Sequence, residues 1–253
     1  MQIPSLTRMD PNRLQQHVFG TYVTLRYGLA VLTLLFPLAV YLAGYFSGVE
    51  LQQSLSAYYW ADRIDPNTPR AFFVGLLFAV AVGMYLYKGF THAENIALNI
   101  AAVFAVLVAL VPMRDAGWNP GKWHGTFAIS MFVCLTYVVW FRAGDTLSLL
   151  PADVARGSAL RRYSRAWYQW RYRVIGSVML LSPVSAAIVN TALGGRWYVF
   201  FIESAGIWAF GWYWFAKSSE LRRSLATKRA LEGRVHVQDG EAREAAPDNH
   251  KRP

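Results

Sequence analysis

RAFFVGLLFAVAVGMYLYKGFTHAENIALNIAAVFAVLVALVPM, residues 70–113, holds two long apolar runs with only Thr91 and His92 between them. A helix that crosses a bilayer needs about 20 mostly apolar residues. Arg70–Phe90 and Ala93–Met113 therefore predict two spans folded into a tight hairpin. The junction supports this: Thr91-His-Ala-Glu94 has the form of a capping box, with Thr91 at the N-cap and Glu94 three positions on. Upstream, Thr68-Pro69 has the form of an N-cap followed by a first-turn proline.

Working outward, Tyr27–Val49, Gly125–Phe141, Val174–Leu193 and Trp197–Lys217 meet or approach the same length. Gly194-Gly195-Arg196 would turn the fifth span into the sixth. The expected fold is all-α and polytopic, a bundle of six transmembrane helices over residues 27–217. Residues 1–26 form an N-terminal segment and 218–253 a basic tail, polar from Leu231 onward and expected to be disordered. Composition agrees. Apolar residues make up 55% and charged residues 16%, against about 25% charged in soluble domains. No cleavable secretory signal is evident, because the first 26 residues lack an apolar core. The lone cysteine, Cys134, excludes an internal disulfide and lies in an apolar run, as a buried thiol would.

Orientation follows from the basic residues. With the N-terminus cytoplasmic, only Arg63, Arg70, Arg114, Lys122 and Arg196 of the 25 lysines and arginines fall outside. Both termini are thus expected in the cytoplasm, and the location is the cytoplasmic (inner) membrane. The clusters RRYSRAWYQWRYR (161–173) and RRSLATKR (222–229) then flank spans on the inner side. Basic residues meet anionic headgroups there, so the loop 142–173 and the tail are expected to contact membrane lipid rather than nucleic acid.

Ionisable side chains inside a bilayer are costly and are functional candidates by default. Glu203 falls in span six, roughly 9 Å below the outer boundary at about 1.5 Å per residue. His124 stands at the outer mouth of span four and Ser130 at a depth similar to Glu203, while Asn190 lies near the outer end of span five. Arg70 opens span two and Arg114 follows span three. Just above them runs SLSAYYWADRIDPNTPRAFFVG (54–75), with Ser54, Ser56, Tyr58 and Tyr59. Together these residues outline an outward-facing polar cavity with 54–75 as its lid or wall. The competing reading pairs Glu203 with Arg70 or Arg114 purely to fix helix packing. Asn95 and Asn99, at i and i+4, are expected to bond between helices.

SLSAYY (54–59), RAFFVG (70–75), YKGFTHAENIALNIAAVFAVLVALVP (87–112), WHGTFA (123–128) and FIESAGIWAFGWYW (201–214) resemble a family of bacterial six-span integral membrane proteins of unknown function. The resemblance covers most of the chain, from about Ser54 to Lys217. The arrangement is also distantly similar to the DRAM/FRAG six-helix membrane proteins, linked to lysosomal or lipid-related processes, through a serine-rich first outer loop and a histidine that opens a span. It implies that Glu203, His124, Arg70, Ser54 and Ser56 form one site, and it implies no reaction.

Three functions fit these features. The first is binding or moving a lipid or small amphiphile, with Arg70 and Arg114 taking an anionic headgroup. The second is a non-catalytic scaffold or regulatory subunit that engages partners through its basic inner face. The third is an intramembrane lipid hydrolase, using Ser54 or Ser56 with His124 and Asp65, or a metal at His124, Asp65 and Asp115. No cofactor, catalytic set or metal is expected on the sequence, since neither HxxxH nor HExxH occurs and His124 is the sole outer histidine.

Overall fold

The structure, a computed structural model, describes residues 11–61, 68–111, 121–150, 163–193, 197–226, 235–238 and 241–244. Six long helices form the membrane domain: α1 (Pro11–Phe46), α2 (Thr68–Leu86), α3 (His92–Leu110), α4 (Gly121–Tyr137), α5 (Arg165–Leu193) and α6 (Tyr198–Ser224). Each packs against its neighbours in sequence, and α6 closes the ring on α1. Two apolar cores fill it. One contains Phe36, Val40, Phe73, Leu77, Val108 and Phe200 beneath the loop after α1. The other lies at the opposite, basic end, around Leu29, Met84, Leu98, Met179 and Trp214.

Five segments are long and apolar enough to cross a membrane: 14–46, 68–86, 92–110, 123–149 and 165–189. Their outward faces are apolar too. Val31, Leu35, Leu38 and Leu42 on α1, and Val174, Val178, Leu181 and Ile188 on α5, are exposed at mostly three- and four-residue steps. Such stripes on a soluble protein would be far larger than the usual exposed apolar patch. They are the surface of a multi-pass membrane protein.

α6 is not among the five. It carries Glu203, Lys217, Glu220, Arg222 and Arg223, and much of it is buried against α1 and α5. Its exposed residues nevertheless include Phe201, Trp208 and Trp212. Of the six helices expected as spans, five are thus long and apolar enough to cross a membrane, and the sixth closes the ring between α5 and α1.

Several boundaries also differ from the sequence reading. α1 begins at Pro11 rather than at Tyr27, because helix propagates through the polar residues before the apolar run. α2 ends at Leu86, so the hairpin turn is 87–91 rather than Thr91-His92. Thr91 is the N-cap of α3, its Oγ1 accepting from the Glu94 N–H at 3.2 Å. Glu94 reaches back past the cap residue to accept from the Phe90 N–H at 2.8 Å, and Asn95 accepts from the Gly89 N–H at 2.6 Å. Asn95 therefore fastens the turn instead of bonding to another helix.

α4 leads into a π turn, Val138–Arg142, and a 3-10 segment, Ala143–Leu149, whose Asp145, Thr146 and Leu147 are buried. α5 starts at Arg165, so the basic cluster expected as loop is largely helical. The tail departs most. Val235–Gln238 (β1) pairs antiparallel with Glu241–Glu244 (β2), and β2 lies against residues 143–149.

Close approach of α6 to α1 depends on Gly211. A Cβ there would sit 2.8 Å from Leu34 Cγ and 2.9 Å from Thr33 Oγ1, and Thr33 is held by bonds to the Leu29 and Ala30 carbonyls. Gly211→Ala is expected to destabilise the bundle by about 1–3 kcal/mol through overpacking. Gly75→Ala, where a Cβ meets nothing within 4 Å, should be close to neutral. Unfolding of both variants in detergent would check the contrast.

Candidate functional site

The site begins where α1 stops. The Gly48 N–H donates to the Tyr45 carbonyl and the Val49 N–H to the Gly44 carbonyl, with Gly48 at φ 74°. This is a Schellman cap, which needs the left-handed conformation that glycine adopts without penalty. It turns the chain back over the end of the bundle. Tyr58 then packs under the loop, its ring lying where a Cβ on Gly44 would stand, and its hydroxyl accepts from the Gln52 N–H at 3.4 Å.

Residues 53–56 are stitched to two helices. The Gln53 carbonyl accepts from the Phe200 N–H at 2.9 Å, satisfying one of the donors left over in the first turn of α6. One turn deeper, Glu203 Oε2 accepts from the Leu55 N–H at 2.9 Å. The Ser54 Oγ accepts from the Ala57 N–H at 3.1 Å and starts the 3-10 turn Ser56–Tyr59. That turn presents Ser56 to His124, whose Nε2 lies 2.9 Å from Ser56 Oγ. His124 Nδ1 lies 2.6 Å from the Val111 carbonyl oxygen. A carbonyl only accepts, so Nδ1 carries hydrogen; in the neutral ring the Ser56 hydroxyl donates to Nε2.

Beneath this loop lies a cavity of about 460 Å³. All six helices contribute to its wall, which is mainly apolar, with Phe36, Leu77, Val108, Phe132 and Ile207 among the lining residues. Its polar lining comes from Ser54, Ser56, His124, Glu203, Gln53 and Ser182. Ile129 and Ala187, on α4 and α5, belong to the wall and are also exposed on the flank of the bundle. Two residues of the wall thus also belong to the apolar outer surface between these helices. Few polar groups and a predominantly apolar wall are the usual composition of a small-molecule site.

No family model, curated protein or solved structure matches the chain.

The functional reading rests on the geometry of these residues. Glu203, His124, Ser54 and Ser56 come together as the sequence suggests. Arg70 does not join them. It is exposed, stacks on Tyr59 at 4.1 Å from the ring centroid, and donates to the Tyr59 hydroxyl at 2.6 Å. The aromatic run beside it offers a closer partner than the carboxylate inside the bundle. The proposed Glu203–Arg70 pair is thus replaced by a Glu203–backbone contact. Tyr58 and Tyr59 brace the loop from behind the wall, and Ser130 lies on α4 outside the lining. Arg114 and the acids Asp65 and Asp115 fall outside the described residues, as does the side chain of Asn190.

The sequence reading missed Ser182, which lines the cavity and donates to the Ile202 carbonyl at 2.6 Å. It also missed a buried ionic network at the opposite end. Lys217, the last residue of the sixth span expected from sequence, is enclosed at 1% exposure beside Glu220 at 0%. Its ammonium donates to the Ala143 carbonyl at 2.7 Å, Thr146 Oγ1 at 2.6 Å and Glu220 Oε2 at 2.9 Å. Glu220 also accepts from Thr146 at 2.5 Å and Tyr172 at 2.8 Å. Lys217-x-x-Glu220 at i,i+3 on one helix face was the available signal. Among the described residues, no group of three or more His, Cys, Asp or Glu side chains is arranged to hold a metal.

Proposed function

We propose that the chain is a six-span protein of the cytoplasmic membrane with both termini inside, whose outward-facing cavity binds or moves a lipid or small amphiphile. The observation that carries this reading is a single carboxylate, Glu203, set in an apolar cavity beneath a loop that it helps to hold. With Arg70 turned onto Tyr59, the described cavity has no arginine or lysine in its wall. The fitting ligand therefore carries a hydrogen-bond donor, a hydroxyl or an ammonium, on an apolar body. Entry between α4 and α5 suits a molecule that arrives from the bilayer.

Native mass spectrometry of the purified protein tests this. Wild type is expected to retain a selected lipid, and Glu203→Gln to lose that selectivity while keeping its fold. Identical, unselected bulk lipid on both proteins would remove the reading.

The Ser56–His124 contact favours a second reading, a serine-type lipid hydrolase in which His124 takes the Ser56 proton. Its Nδ1 is oriented by a carbonyl instead of an acid. Labelling by a fluorophosphonate that disappears in Ser56→Ala would establish that chemistry; absence of labelling in wild type would dismiss it.

A further inference from the structure

We propose that the cavity under the loop selects a long-chain primary amine, an amphiphile with an ammonium head and no phosphate. The inference deepens the binding function proposed above and rests on it. Its ground is the hydrogen-bonding sense of the wall: around Glu203 the side chains accept, and their own hydrogens are already committed. Glu203 uses Oε2 on the Leu55 N–H at 2.9 Å, while Oε1 has no hydrogen-bond partner among the described residues. No lysine, arginine or histidine among the described residues lies within electrostatic reach of this carboxyl.

Two serines flank the carboxylate, and the sequence places both. Ser56 follows Leu55, the residue whose N–H Glu203 holds, so the loop brings its hydroxyl to the same corner of the cavity. In the neutral ring of His124 that hydroxyl donates to Nε2 at 2.9 Å, and Nδ1 donates to the Val111 carbonyl. Neither ring nitrogen then offers a hydrogen to the cavity. Ser182 comes from α5, and Gly206, one turn after Glu203, gives it room: a Cβ there would stand 2.5 Å from Ser182 Oγ. Ser182 donates to the carbonyl of Ile202, the neighbour of Glu203, at 2.6 Å. Each hydroxyl thus uses its one hydrogen within the protein and keeps lone pairs for a ligand. Of the other polar residues in the wall, Ser54 accepts from the Ala57 N–H and Gln53 is exposed.

A lipid alcohol would set its own lone pairs against these acceptors. An ammonium carries three donors and no acceptor, and it brings the positive charge that the wall lacks. An alkylamine also holds a proton far more tightly than a carboxyl does, at a pKa of about 10.4 against about 4.3. A protonated Glu203 would pass its proton to the amine, so the bound pair is ammonium and carboxylate in either case. A phosphate beside the ammonium, as in an ethanolamine phospholipid, would bring negative charge to a wall with no cation to receive it. That source is thereby disfavoured. Phe36, Phe73, Leu77, Val108 and Ile207 line the rest of the cavity and suit an alkyl chain.

The test is scintillation-proximity binding to the purified full chain, with tritiated dodecylamine and, separately, tritiated dodecanol. Hydrogen bonds to charged groups are roughly twice as strong as neutral ones, so wild type is expected to bind dodecylamine about tenfold more tightly than dodecanol. Lysophosphatidylethanolamine should displace the amine no better than dodecanol does. In Glu203→Gln the preference for the amine should disappear while dodecanol binding persists. Ser182→Ala, which keeps the carboxylate, should weaken amine binding about fivefold. The wild-type comparison decides without any variant. Equal affinity for the two labelled compounds overturns the amine inference and leaves the cavity reading standing, whereas saturable binding of neither removes both. Displacement by lysophosphatidylethanolamine at the concentrations effective for dodecylamine also overturns the inference, and so does a tenfold preference retained in Glu203→Gln.

Discussion

Glu203→Ala is expected to unfasten the loop over the cavity. The Leu55 N–H would lose the carboxylate that accepts from it at 2.9 Å. Hydrogen bonds to charged groups contribute about 1.5–3 kcal/mol. Amide hydrogen exchange over residues 52–60 should therefore accelerate on the order of 10- to 100-fold. The Phe200–Gln53 bond is independent of the side chain and should keep the first turn of α6 protected. Glu203→Gln retains a carbonyl oxygen in the same place, so its loop should stay closer to wild type while the negative charge is lost. The two variants separate the roles: alanine opens the loop, whereas glutamine alters what the cavity recognises with the loop in place. Unchanged exchange at 52–60 in Glu203→Ala would show that the contact does not hold the loop.

Much of the fold is legible because apolar run length is a direct physical requirement of a bilayer. Residues 70–113 alone announce two helices, and the Thr91 cap specifies where the second begins. Depth is legible for the same reason: helical rise places Glu203 in the outer part of its span, below His124 at the mouth of span four and the loop that carries Ser56. Azimuth is not, and the decisive contacts are of a kind residue types do not reveal. Glu203 bonds to a backbone N–H in a distant loop, and His124 Nδ1 to the Val111 carbonyl. Sequence reasoning that looks for an arginine to neutralise a carboxylate selects Arg70, yet Tyr59 lies nearer and takes it. The tail hairpin did leave a signal, since Asp239-Gly240 between two strands is a favoured two-residue turn sequence. The polar composition from Leu231 onward points to disorder instead.

The largest effect on stability is expected at the opposite end of α6. Lys217 is enclosed with all three ammonium donors used, on Ala143, Thr146 and Glu220, and Glu220 is completed by Thr146 and Tyr172. Removing one member strands the other. Lys217→Met leaves the Glu220 carboxylate buried without its counter-charge, and Glu220→Leu does the same to the ammonium. Breaking a buried pair in this way costs about 3–5 kcal/mol. Replacing both partners by apolar groups of similar volume is often neutral, because the desolvation of the two charges is relieved together. The double variant Lys217→Met, Glu220→Leu should therefore recover much of the loss in detergent unfolding, limited by the Thr146 and Tyr172 hydroxyls left behind. The recovery distinguishes an ionic fastening from simple packing: if the two single losses add in the double variant, Lys217 and Glu220 do not act as a pair. The network also ties α6 to α5 through Tyr172 and to the 3-10 segment through Ala143 and Thr146. The two buried charges near the end of α6 are thus bonded to each other and to neighbouring elements, so the helix can close the ring with both of them enclosed.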